Sequence, residues 1–283
     1  MSTSALEKLM FTVGMKDMVS QPALSINKTI NGMKQNATSG FDSIRGGALG
    51  LAGAGIAIKT FMQPVYDVEK ALGEVKSLGV IESELKSLTK ESLKFSMAYG
   101  EGAADFIRSS YDIQSAISGL TDGELAKFTT ASNILAKGTK ADAATITSYM
   151  GTMYGIFSDQ ANKMGKAKWV EQLTGQTAMA VQMFKTDGAN MSAAFTSIGA
   201  DATASGVSLT EQMAIMGTLQ ATMSGAESGT KYKAFLAGVA GAQDKLGLSF
   251  TDSNGRLLPM LSILDTLKGK FGSSFSEMEG LEL

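Results

Sequence analysis

The chain has 283 residues, of which 44% are apolar and 18% charged, and its formal net charge is −2. It contains no Cys and no His, which excludes disulfides, thiolate metal sites, cysteine nucleophiles and every His-containing triad. A near-neutral balance leaves no electrostatic footprint for nucleic acid.

Gly and Met are abundant at 32 and 18 residues, and Pro occurs three times. Scarce Pro with plentiful Ala, Leu and Met favours helix, and frequent Gly marks helix ends or close helix contacts. The expected fold is mainly α: an extended N-terminal helical arm, then an irregular multi-helix bundle with at most one short β-hairpin. The Met1–Glu7 start lacks the basic head and apolar core of a secretory signal.

Residues 1–78 read as the arm. Pro22 suits the first turn of a helix, where its missing N–H costs nothing. A 4-3 apolar spacing then runs through Ile26, Ile30, Met33, Ile44, Leu51 and Ile58, and on through Val68, Leu72 and Val75. This spacing argues for a long helix with one apolar seam, interrupted at Pro64. The seam carries Ala and Gly where a strong zipper has Leu or Ile. Two uses stand open: self-association in a parallel assembly, or several short helices packed on the rest of the chain. The Gly/Ala-rich apolar segment 46–58 is too short to span a relaxed bilayer and permits close helix approach.

Residues 79–245 read as a succession of short amphipathic helices. Their stripes include Phe106, Ile113 and Ile117, then Leu125, Phe128 and Leu135, then Met150, Met153 and Phe157. Val170, Leu173 and Phe184 follow, then Met213, Met216 and Met223, then Phe235, Val239 and Leu246. Thr121–Glu124 and Ser208–Glu211 have the capping-box pattern. Gly119, Gly138, Gly188, Gly206 and Gly225 are expected just past helix ends. The openings Ser118–Thr121 and Ser205–Thr210 suggest a faint internal repeat. Residues 246–283 hold the best hairpin signal, Asn254-Gly255 between short apolar runs, and a last helix after Pro259. The final Gly280–Leu283 carries no cap or tail, the pattern of a partial chain.

Carboxylate pairs that could serve a glycosidase are Glu69 with Glu74, Glu82 with Glu84, and Glu101 with Asp105. All fall among Lys and Ser on expected polar faces, so solvated helix charge is their expected role. Asp252–Gly255 is expected to form a turn instead of a calcium loop. The glycines of Gly50–Gly55 lack the preceding strand of a phosphate loop. Ser92 with Lys94 is too ordinary a pair for a dyad. Met213, Met216 and Met223 suit either a plastic partner groove or core, and Trp169 suits a core anchor. No catalytic, cofactor-binding or metal residue is expected.

The order of landmarks from Ala103 to Phe271 resembles the core region of phage tail tape-measure proteins. The landmarks are Leu135–Asp142, then Gly206–Gln212, then the turn motif Gly225, Gly229 and Thr230, then the 248–258 turn with Pro259. The motif is expected to end one helix at Gly225 and open the next at Gly229-Thr230, where a side chain would obstruct packing.

The resemblance implies a structural, non-enzymatic protein held as a few parallel copies in the tail-tube lumen of a virion or tail-like particle. It implies a role in fixing tube length during assembly in the host cytoplasm and release ahead of the DNA. Implied partners are further copies of itself, tail-tube proteins, baseplate or tail-tip hub proteins and a tail assembly chaperone, with transient host-membrane contact and no specific nucleic-acid binding. The competing class is a secreted membrane-active effector that inserts segment 46–58. A peptidoglycan-cutting domain is a third class, weakened by the missing His.

Overall fold

Helix stripes of the kind read from residue 79 onward must bury their apolar faces against one another. A computed structural model describes residues 65–272, and these contain eleven helices. The only β feature among the described residues is one antiparallel bridge, Thr251 to Leu257. The chain divides into two compact units between Ser192 and Ala193.

The first unit holds α1 (Val65–Lys76), α2 (Glu82–Tyr99), α3 (Ala103–Ala116), α4 (Glu124–Thr139), α5 (Ala143–Met164) and α6 (Lys166–Phe184). α3 packs on α1, α2, α4 and α5, while α4 packs on α2, α3, α5 and α6. The spacing explains the buried faces. α2 buries Leu85, Leu88, Ser92 and Phe95, and α3 buries Phe106, Ile107, Ser110 and Ile113. α1 buries Ala71 and Val75 and packs against α3 of its own chain; of the last three residues of the 4-3 run, Val75 is buried while Val68 and Leu72 are half-buried.

α4 is buried almost all round, from Leu125 and Phe128 to Ile134 and Leu135. Its hydroxyls therefore need internal acceptors. Thr129 donates to the Leu125 carbonyl at 2.7 Å and Ser132 to the Phe128 carbonyl at 2.8 Å, the back-bond available to short side chains on a helix. Asn133 donates to Ser109 Oγ at 2.7 Å and to the Thr129 carbonyl at 2.8 Å, which ties α4 to α3. Tyr149 on α5 and Thr177 on α6 share a hydrogen bond of 2.8 Å. Burial pushes the Tyr149 phenol well above its ordinary pKa. Phe157 leaves helical geometry (φ −117°, ψ 23°) and kinks α5.

The second unit holds the rest of α7 (Gly188–Ile198), in which the division falls, with α8 (Asp201–Ala204), α9 (Leu209–Leu219), α10 (Gly225–Leu246) and α11 (Met260–Phe271). α10 packs on α8 and α9. Asn254-Gly255 forms the expected turn: Gly255 takes φ +73°, and Asp252 N–H donates to the Arg256 carbonyl at 2.8 Å.

Several helix ends differ from the sequence reading. Gly138 lies inside α4, and Lys140 takes the left-handed position (φ +57°) that closes it. Lys185 does the same after α6 (φ +54°). The N–H groups of Ala141 and Thr186 reach back to the Ala136 and Val181 carbonyls at 3.0 and 3.2 Å. That six-residue closure satisfies orphan carbonyls and outweighs the steric cost of about 1–2 kcal/mol for a non-glycine residue there. Gly188 opens α7 instead of ending a helix; a Cβ there would lie 2.3 Å from Thr139 Oγ1 and 2.9 Å from Ile146 Cδ1. Gly119 and Gly206 do take positive φ after helix ends, at +70° and +85°.

The N-terminus of α5 carries the first testable consequence. Asp142 caps it, accepting from Thr145 N–H at 2.7 Å and from Thr145 Oγ1 at 2.6 Å. These two bonds hold the Asp142 carboxyl below the ordinary value of 3.8. A carboxyl with a lowered folded pKa stabilises the fold above the unfolded value, and that stability is lost as pH falls through the lower folded value. Asp142→Ala should therefore lower the melting temperature at neutral pH, and the gap from the parent should close as pH falls below about 3.8. Thermal unfolding followed by circular dichroism between neutral and strongly acidic pH checks this.

Candidate assembly surfaces

The turn motif builds upward from one cap. Ser224 is the N-cap of α10, and its Oγ accepts from Glu227 N–H at 3.3 Å. Gly225 is the first residue of that helix, so it opens α10 and does not end α9, whose C-cap is Gln220. Gly229 and Thr230 lie in the second turn of α10, not at its start. The serine cap decides this, because it satisfies an orphan N–H that Gly225 cannot. Ser228 is buried and donates to the Gly225 carbonyl at 2.6 Å. Thr230 is exposed and donates to the Ala226 carbonyl at 2.9 Å.

Gly229 is where α10 crosses α7. A Cβ there would lie 2.2 Å from the Ala194 carbonyl oxygen and 2.8 Å from Ser197 Cβ. The motif is thus a device for close helix approach. The hairpin docks in the same unit: Leu257 N–H donates to the Ser205 carbonyl at 2.9 Å, and the Arg256 side chain lies over Gly206.

Both capping-box patterns are half made: the Glu211 carboxylate works elsewhere, whereas at Thr121–Glu124 only the carboxylate half forms. Ser208 Oγ accepts from Glu211 N–H at 3.3 Å, while the Glu211 carboxylate accepts from Met260 N–H at 2.8 Å, at the start of α11. Glu211 also lies near Tyr232, whose phenol is raised by burial first and by this carboxylate second. At α4, Glu124 accepts from Thr121 N–H at 3.2 Å. The N-cap there is Gly123 at φ +79°, without a side-chain cap of its own. Its N–H donates instead to Glu84 Oε1 at 2.7 Å. Glu84 is 3% exposed, which corrects its expected place on a polar face. The reason is this long-range cap, which places α2 beside the turn entering α4.

The other candidate carboxylates are engaged in ion pairs or spread on the surface. Glu82 faces Lys76 at 3.9 Å, Glu101 pairs with Lys137, and Asp105 pairs with Arg108 at 2.7 Å. Glu69 is exposed and Glu74 half-buried on α1. Among the described residues no group of three or more carboxylates could hold a metal ion. Ser92 is buried and donates to the Thr89 carbonyl at 2.8 Å, while Lys94 pairs with Glu91. Asp252 accepts from Arg256 N–H at 2.9 Å and Asn254 N–H at 2.8 Å, bonds that lower its pKa; it shapes a turn. Met213 and Met216 are fully buried, so they are core and not a groove, while Met223 is half-buried in the turn before α10. Trp169 is core as well, within 6.2 Å of the Phe128 ring and 5.9 Å of Tyr154.

The seam residues Ile26, Ile30, Met33, Ile44, Leu51 and Ile58, with the segment 46–58, lie outside the described residues. Among the described residues no helix is long and apolar enough to cross a membrane.

These features define a helical protein whose distinctive residues organise helix crossings and caps. The family model for phage-related minor tail proteins matches residues 89–280, more than half of the chain, and the chain belongs to that family. Its role is that of a structural component of a phage tail. No curated protein and no solved structure matches it.

The glycine crossing separates from ordinary helix propensity by two substitutions. Gly229→Ala should destabilise by about 1–3 kcal/mol through overpacking. Gly238 lies in the same helix with nothing within 4 Å of where a Cβ would sit, so Gly238→Ala should stabilise by about 0.5–1 kcal/mol. Denaturant unfolding of the two variants beside the parent checks both signs.

Proposed function

We propose that the chain is a tape-measure protein. In this reading it occupies the tail-tube lumen, sets tube length during assembly in the host cytoplasm, and leaves the tube ahead of the DNA. The observation that carries the reading is the coincidence of two features. The stretch matching the minor tail family, residues 89–280, also holds the ordered landmarks 135–142, 206–212 and 225–230 in a succession of helices. A helical chain suits a ruler because an α-helix advances 1.5 Å for each residue. Cells lacking the gene should make tube and baseplate proteins yet give either no tails or tails of irregular length. Electron microscopy of the lysates checks this, and uniform tails of normal length would overturn the reading.

A few copies run parallel along the arm, with Ile26, Ile30, Met33, Ile44, Leu51 and Ile58 facing like residues. An exposed seam would forgo roughly 1.5–3 kcal/mol for each large apolar side chain left in water. Ile30→Asp should shift the sedimentation profile toward monomer and impair tail assembly, while residues 103–271 keep their thermal transition. A monomer with a lowered melting point would instead assign the stripe to packing within the chain.

The partners in this reading are tail-tube and tail-tip or baseplate hub proteins, an assembly chaperone and, transiently, the host membrane. Specific nucleic-acid recognition plays no part, and the protein carries out no hydrolysis. Both Glu84 and Glu211, the carboxylates with the most specific surroundings, serve as helix caps. Purified protein should accordingly release no soluble muropeptides from peptidoglycan, as chromatography of the digest would show.

A further inference from the structure

α2 presents a face that its own unit does not cover. Lys86, Lys90, Leu93, Lys94 and Met97 recur at steps of three and four residues, so they share one side of the helix. Leu93 is 40% and Met97 52% exposed, among the few large apolar side chains so exposed in the described residues. Beside this face a groove of about 410 Å³ runs between α2 and α4, with Lys90 and Lys94 on one wall and Lys127 on the other. Two groove lysines have acidic neighbours: Lys94 meets Glu91 at 2.5 Å and Lys127 meets Glu171 at 3.7 Å. Lys86 and Lys90 form no ion pair among the described residues. The face combines unneutralised positive charge with exposed apolar surface.

The chain itself contains the complement. Residues 273–283, which follow the described residues, carry Glu277, Glu279 and Glu282 and no Lys or Arg. Phe275, Met278 and Leu281 alternate with these glutamates. By contrast, residues 22–62 hold Lys28, Lys34, Arg45 and Lys59 against Asp42 alone, the wrong sign for this face. We infer that the 273–283 segment of one copy docks in the α2–α4 groove of a second copy, setting its glutamates against Lys86, Lys90 and Lys127 and its apolar side chains against Leu93 and Met97. The second copy as source rests on the self-association proposed above, which raises the local concentration of a neighbour's segment. The contact adds a second link between copies, one that depends on charge and therefore on salt.

Full-length protein made in light and in isotopically heavy form, mixed and treated with a zero-length carbodiimide, tests this. Carbodiimide joins a lysine amine to a carboxylate only where they touch. The expected result is mixed light–heavy cross-links between Glu277, Glu279 or Glu282 and Lys86, Lys90 or Lys127. Lys90→Glu should lower their yield about fivefold, because it turns an attractive charge pair into a repulsive one. Adding Glu279→Lys should restore the yield. Lys90 is exposed, and an unchanged melting temperature of Lys90→Glu shows that the fold is kept.

Cross-links confined to single copies, cross-links that persist undiminished in Lys90→Glu, or none at the groove would each overturn the docking. If the last result came from a chain that sediments as an oligomer, self-association would survive and only the docking would fall; a monomer would overturn both. Lys90-dependent binding of anionic vesicles without any cross-link would assign the face to a membrane and likewise overturn it.

Discussion

The first unit depends on α4, a helix rich in Thr, Ser and Ala that neighbours cover on nearly every side. A helix so placed cannot leave hydroxyls or amides to water, and each unpaired buried polar group would cost on the order of 1–3 kcal/mol. Its short hydroxyls solve this locally. Thr129, Ser132 and Thr139 all donate to the carbonyl four residues earlier. Small side chains that find their acceptors on their own helix let α3, α5 and α6 pack close to α4. The sparse charge and abundant Ser and Thr of the chain are the composition that such packing needs.

Carboxylates act in a related way at a longer range. Glu84 reaches across 39 residues to the amide of Gly123, and Glu211 across 49 residues to that of Met260. In each case an acidic side chain from one helix occupies the positive N-terminal end of another, where backbone N–H groups have no partner within the helix. A carboxylate committed in this way fixes the angle at which two elements meet. It also gives Glu84 and Glu211 a place in the architecture. The glycines divide similarly. Gly229 and Gly188 stand where another element approaches too closely for a Cβ, whereas Gly238 and Gly241 have open space around them.

Membership of the phage-related minor tail family agrees with a chain built for packing. Its landmark residues have structural work: Asp142 caps α5, Ser208 caps α9, Ser224 caps α10 and Gly229 admits α7. A tail component is recognised by the surfaces it offers to its neighbours, and the basic face of α2 is one that this unit leaves available.

The helical class, the stripes and the hairpin-like turn at Asn254-Gly255 were legible in the sequence because they rest on local causes. Helical spacing of apolar residues, a serine or aspartate before a stripe, and Asn-Gly between apolar runs act within a few residues. The core role of Trp169 was legible too, since a bulky apolar side chain on a stripe has little alternative to burial, whereas spacing left Met213 open between core and groove. What the tertiary structure alone decided were the ends and the partners. Lys140 and Lys185 adopt left-handed geometry because closing bonds to Ala136 and Val181 outweigh a local preference that pointed to Gly138. Gly225 opens a helix because Ser224 takes the cap. The remote bonds of Glu84 and Glu211 join residues far apart in the chain, and spacing carries no signal of a partner that only folding brings within hydrogen-bond reach.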